Sequence, residues 1–302
     1  MSKERVSFHD QIQRNKIKSF ILIIVILIFF IIVGFVISLA LDPGYFFVIM
    51  IISIIISVSY VLVGFYNSDK IALASVQAKE ASRTEYRQLY HSVEGLTLAS
   101  GLPMPKVYIM NSNQINAFAS GRDPKHAVIC VTTGSLEKLN KQELEGVLAH
   151  ELSHIANYDI RFMTLTAVLV GMIAIFSQIF LRSLWFGGGS RDRDSKGGAI
   201  LLIIGVILAI LAPIVVNLVS LAISRKREFV ADASAVKFTR YPLGLKNALI
   251  KIQKEHVPAE EVKKINKAVA PLFMSDPYKK KAQNLFSTHP PIDKRIAILE
   301  RM

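Results

Sequence analysis

The chain has 302 residues, 52% of them hydrophobic and only 20% charged, with a formal net charge of +13. That composition excludes a disordered chain and argues against a fully soluble enzyme, while the length suggests about two domains. One cysteine, Cys130, excludes a disulfide framework and any Cys-based zinc cluster, and the basic excess points to an anionic membrane surface or to nucleic acid.

Four stretches hold most of the apolar residues: Ser19 to Leu41, Tyr45 to Tyr66, Met163 to Leu181 and Ala199 to Ile223. Each is long enough to cross the hydrocarbon core, which takes about 20 helical residues. The first two read as near-continuous Ile, Leu, Val and Phe. The last two carry Thr164, Thr166, Gln178, Asn217 and Pro213, and a pair of buried core helices is their other reading. The tail before the first span carries Lys3, Arg5, Arg14, Lys16 and Lys18, whereas the turn after it, Asp42-Pro43-Gly44, has no basic residue. The positive-inside rule then puts both termini and the polar segments in the cytoplasm. The connection from Arg182 to Gly198, with four basic and two acidic residues, fits that orientation poorly. Four segments follow: 1–66, tail and first hairpin; 67–162, polar; 163–223, second hairpin; 224–302, polar.

Between the second and third spans, Ser68 to Leu98 favours helix, and Leu102-Pro103-Met104-Pro105 breaks it. Three short β-rich runs, Val107 to Met110, Asn116 to Ala119 and Ala127 to Thr132, predict a small meander sheet. Asn140 followed by Glu143 predicts a capping box that opens a helix from Lys141 to about Tyr158. Beyond the fourth span, helices are expected over Arg225 to Phe238, from Gly244 to about Ala270, and over Ile292 to Arg301.

The chemistry concentrates in His150-Glu151-Leu152-Ser153-His154. Residues i and i+4 of a helix stand one above the other, so both imidazoles can bind one Zn²⁺. Glu151 sits beside them, where a carboxylate can take a proton from a metal-activated water. Asn157 shares the histidine face and is a candidate to support the ligands from behind. A third protein ligand is needed, and Ile160 stands where one zincin class carries its third histidine. Glu228 is the best candidate, with Asp232 one turn on; spacing alone does not separate a ligand from a surface acid in the run Arg225-Lys226-Arg227-Glu228. A hairpin made by the last two spans would return Glu228 to the membrane face at which the histidines lie.

With these motifs in order, the sequence resembles the membrane zinc endopeptidases of the HtpX type in peptidase family M48, relatives of the zinc-dependent CAAX prenyl proteases. The resemblance runs through Asn116-Ala117-Phe118-Ala119, Val131-Thr132-Thr133-Gly134, His150 to Asp159, Glu228 to Asp232 and Ser287 to Arg295. It implies a mainly α membrane protein, with four hydrophobic helices and a cytoplasmic, minigluzincin-like zincin domain holding a small β-sheet. It also implies one Zn²⁺ per chain on His150, His154 and Glu228, with Glu151 as general base. The strand Asn116, Ala117, Phe118, Ala119 would receive substrate, His289 would stabilise the oxyanion, and Arg295 would pair with Asp232. The implied activity is endopeptidase cleavage of membrane or misfolded proteins at the cytoplasmic face of the cell membrane, as quality control. Protein substrates and the lipid bilayer are then the partners, and nucleic acid is not. A CAAX-type prenyl protease is the nearest alternative, although its relatives use about seven spans. A zinc-binding scaffold or transporter ranks last, because such proteins place ionisable ligands inside their spans.

Overall fold

The computed structural model describes residues 8–40, 43–167, 225–255, 272–275 and 290–302, with isolated helical positions at 171, 178 and 205. Most of the third and fourth expected spans, Trp185, the Arg182 to Gly198 connection and His289 lie outside the described residues. The fold within them is mainly helical, with one small mixed sheet.

Helices α1 (Phe8–Ala40) and α2 (Phe46–Tyr66) are each long and apolar enough to cross a membrane. They pack on each other along their length. Gly34 lets the helices approach, since a side chain there would collide with Ser53. Phe30 meets Tyr60, and Phe35 meets the start of α2 at Phe46 with edge-on rings. The remaining apolar faces, among them Phe20, Ile28, Phe47 and Ile55, are exposed. A pair of helices so coated in aliphatic side chains suits hydrocarbon rather than water.

The polar domain begins with α3 (Ser68–Ser75), β1 (Lys79–Glu80) and α4 (Arg87–Ser100). The helix-favouring run from Ser68 to Leu98 therefore splits in two. Strands β2 (Lys106–Met110), β3 (Ala117–Gly121) and β4 (Ala127–Thr132) follow. The spatial order is β1-β2-β4-β3. This corrects the meander: β2 pairs with β4 in parallel, and β3 lies outside β4 in antiparallel register. Residues 111–116 carry the chain past β4, held there by side chains. Thr132 Oγ1 donates to the Gln114 carbonyl at 2.6 Å, and the Asn116 N–H donates to Ser135 Oγ at 2.8 Å. Such side-chain anchors leave no periodicity in a sequence.

All six residues of β4 are buried, because both sheet faces are covered. Ile129 and Val131 face the main core with Leu148, Leu152 and Leu249. Val128 and Cys130 face a second cluster with Leu73, Met163 and Phe273, so Cys130 is a small core residue. After α5 (Thr133–Lys138) comes α6 (Lys141–Ala156), which carries the histidines. Its predicted capping box is present: Asn140 Oδ1 accepts from the Glu143 N–H at 2.9 Å, and Glu143 Oε2 accepts from the Asn140 N–H at 2.8 Å. Nearly every residue of α6 from Glu143 to Ile155 is buried.

Helices α7 (Arg225–Thr239) and α8 (Pro242–Lys254) pack against α6, and α9 (Ile292–Leu299) packs against α8 and α7. Proline at the first position of α8 both ends α7 and opens the next helix. Contact between α6 and α8 requires Gly146, since a β-carbon there would sit 2.7 Å from the Leu245 Cα. Gly146→Ala should force the two helices apart and lower stability by about 1–3 kcal/mol. Thermal unfolding in detergent checks this, and an unchanged midpoint would contradict the packing.

Candidate active site

Helix α6 presents His150 and His154 one turn apart, their rings edge to face with centroids 4.8 Å apart. Their Nε2 atoms are 3.3 Å apart. Glu228, on α7, reaches both: Oε2 is 3.6 Å from His150 Nε2, and Oε1 is 3.7 Å from His154 Nε2. All three residues are buried.

The opposite ring nitrogens are held by carboxylates. His150 Nδ1 faces Asp232 Oδ1 at 3.0 Å, and His154 Nδ1 faces Asp159 Oδ2 at 3.1 Å. A proton placed on Nδ1 by such a partner leaves Nε2 as the free lone pair. Both lone pairs therefore point at the same place, beside the Glu228 carboxylate. Donor atoms about 2.0–2.1 Å from a tetrahedral ion stand about 3.3 Å from each other. The two imidazole nitrogens stand at that separation, each with one Glu228 oxygen 3.6–3.7 Å away, and two imidazoles with one carboxylate are a donor set suited to zinc.

Arg295, from α9, is buried with 1% of its surface exposed. Its Nε and Nη2 donate to the two oxygens of Asp232 at 2.9 and 2.6 Å, and Nη1 lies 3.3 Å from Glu228 Oε2. The guanidinium holds the Asp232 carboxyl below its ordinary range against the opposing effect of burial. Burial and the Arg295 cation both lower the His150 pKa. The carboxylates of Asp232 and Glu228 outweigh them, and it is raised to about 9. The surroundings of His150 thus favour positive charge.

Glu151 is buried, and its Oε1 has no hydrogen-bond partner among the described residues. Burial pushes its carboxyl pKa up, with His150, His154 and the Ala119 amide pulling the other way. A carboxylate in this state is poised to exchange a proton. Asn157, expected behind the ligands, donates from Nδ2 to Ser153 Oγ at 3.3 Å.

The edge strand β3 begins beside Asn116 and packs over α6. Its outer side is occupied by residues 272–275. The Met274 N–H donates to the Ala117 carbonyl at 2.9 Å, and Phe118 and Phe273 form an antiparallel bridge with rings 5.1 Å apart. Asn116 donates from Nδ2 to the Ser275 carbonyl at 3.0 Å and accepts from the Ser275 N–H at Oδ1, 3.3 Å.

Asp159 was not assigned a role by spacing. It lies past a turn at Tyr158, whose φ of +59° is left-handed, and only that reversal brings it back to His154. His91 and His126 are exposed.

The profile described as Peptidase family M48 matches residues 81–302. The chain belongs to peptidase family M48. The Protease HtpX homolog of Dictyoglomus thermophilum is 43% identical over 98% of this chain and 95% of its own length. That of Thermoanaerobacter pseudethanolicus is 47% identical over 86% of this chain and 89% of its own. The crystal structure of S. mikatae Ste24p aligns with a TM-score of 0.48 at 19% identity, covering 91% of this chain and 61% of that one. As an M48 peptidase of this kind, the protein is a membrane zinc metalloendopeptidase, and the cluster of His150, His154 and Glu228 is compatible with the metal the family implies.

In this M48 site Arg295 compensates two buried carboxylates. Arg295→Ala should lower stability by about 3–5 kcal/mol, the usual result of stripping one partner from a buried ion pair. Chemical denaturation in detergent measures it; a loss under 1 kcal/mol would mean that the cluster is not held by charge.

Proposed function

We propose that the protein binds one Zn²⁺ per chain through His150 Nε2, His154 Nε2 and the Glu228 carboxylate, and hydrolyses polypeptides at the cytoplasmic membrane face. The observation that carries this is the convergence of those three groups, with Glu151 beside them and a carboxylate behind each imidazole. Charge supports it as well. Among the described residues, Glu151, Asp159, Glu228 and Asp232 gather around the buried cations Arg227 and Arg295, with Lys18 near Asp159, so that acids outnumber fixed cations. A divalent ion redresses that balance.

Zinc, when bound, polarises the scissile carbonyl and acidifies a water. Glu151 takes that water's proton on its carboxylate and returns it to the leaving amine nitrogen. Burial pushes the Glu151 carboxyl pKa up, which makes its carboxylate a stronger base. Asp232 and Asp159 keep both imidazoles in the tautomer that binds metal. Arg295 stops Asp232 and Glu228 from repelling each other. Assignment of the oxyanion-stabilising role to His289 rests on the family resemblance.

Substrate is read at Asn116, Ala117, Phe118 and Ala119 by the groups that hold residues 272–275. Those groups are an outward carbonyl on Ala117 and a side-chain amide on Asn116 that both gives and takes a hydrogen bond. A substrate strand would take the place of 272–275 and be held through its backbone, which accepts many sequences. Such tolerance suits the removal of misfolded membrane proteins. The domain reading follows: 1–66 anchors the chain, 163–223 forms a second hydrophobic hairpin, and 67–162 with 224–302 form one cytoplasmic catalytic unit. The basic residues ahead of the first apolar stretch, Lys3, Arg5, Arg14, Lys16 and Lys18, support that orientation.

Glu151→Gln tests this directly. It should cut casein cleavage by about 10²–10⁴-fold and leave zinc content by elemental analysis unchanged. Retained cleavage would overturn the assignment of the base.

A further inference from the structure

We propose that Asn15, on the first apolar helix, is a positioning residue for the metal centre, acting on His154 through Asp159. The inference rests on the zinc-site reading above. Asn15 is buried at 5% exposure in a helix that is otherwise aliphatic beyond Ser19. A buried amide there is costly unless it is fully hydrogen-bonded. Its Nδ2 donates to the Asn157 carbonyl at 2.9 Å and to Asp159 Oδ1 at 2.7 Å. Both amide hydrogens are thus spent on the turn that leaves α6. The short bond to Asp159 is charge-assisted.

Asp159 joins the two ends. One oxygen receives Asn15, and the other faces His154 Nδ1 at 3.1 Å. Arg227 Nη1 lies 3.5 Å from the first oxygen and adds a buried cation beside the same carboxylate, so Asp159 is held from both sides. A second contact braces the same turn. Lys16, the next residue of α1, sets its ammonium 4.6 Å from the centre of the Tyr158 ring. Tyr158 holds the left-handed φ of +59°, which an unbraced chain leaves readily. Two successive residues of the membrane helix therefore fix the turn whose shape aims Asp159 at His154. The membrane anchor is in this sense part of the metal site.

Loss of a carboxylate–histidine support typically costs 10–100-fold in metal affinity or activity. Asn15→Leu keeps the branched shape, suits an apolar helix and removes the donor. Asn15→Asp keeps the shape and sets a second carboxylate against Asp159. Both should weaken Zn²⁺ binding about 10-fold or more in chelator competition on the full chain in detergent. They should also lower kcat with KM nearly unchanged, and shift the visible spectrum of the Co²⁺-substituted protein. Gln13→Ala, on the exposed face of the same helix, should change none of these. A role in packing alone would lower only the unfolding midpoint. Variants that fold and bind Zn²⁺ like wild type would overturn the proposal. So would loss of folded protein in both, because the link would then serve the fold and not the metal. Wild type that fails to bind Zn²⁺ would instead overturn the zinc-site reading.

Discussion

The structure turns on a buried guanidinium. Arg295 grips Asp232 with two hydrogen bonds and lies against Glu228, so two carboxylates can stand side by side in a core that excludes water. Without that cation, either carboxylate would take up a proton or draw away from the other. With it, Asp232 stays ionised and holds His150, while Glu228 stays directed at both Nε2 atoms. The cost of burying so many charges is met by the packing around them. Helix α6 is covered by β3, α4, α7 and α8, and α9 carries Arg295 in from the end of the chain. Residues far apart in sequence thus depend on one cluster, which couples assembly of the fold to assembly of the site.

The parts legible in the sequence were those with local periodicity. The i and i+4 histidines, the capping box at Asn140 and the apolar helices α1 and α2 each follow from spacing within a few turns. Glu228 and Asp232 were legible as a pair on one helix face, but nothing local ties them to the histidines. Arg295 was legible only through family resemblance. Asp159 and Asn15 were not, since one depends on a left-handed turn at Tyr158 and the other on docking between elements more than a hundred residues apart. The sheet was misread for a related reason. Hydrophobic alternation finds strands, but it does not say that residues 111–116 cross β4 under the hold of Thr132 and Ser135.

The first apolar helix and the cluster of His150, His154 and Glu228 are linked in this molecule. The polar foot of α1 reaches the turn after α6, and Ser19, where the apolar stretch starts, bonds back to the Asn15 carbonyl. Four residues of helix span about 6 Å, so the metal cluster stands close to the level at which α1 turns apolar. The β3 edge beside it already holds a strand-like segment of the same chain, through a backbone hydrogen bond at Ala117, the Asn116 amide and the Phe118–Phe273 ring pair.

The central claim is that the two imidazoles and Glu228 together hold one zinc ion. X-ray absorption spectroscopy at the zinc edge of the purified full chain tests it most directly. The account predicts one zinc per chain with two imidazole nitrogens and carboxylate oxygen at about 2.0–2.2 Å, and loss of the oxygen contribution or of the metal in Glu228→Ala. A shell containing sulfur, a third imidazole, or a spectrum unchanged in Glu228→Ala would contradict it.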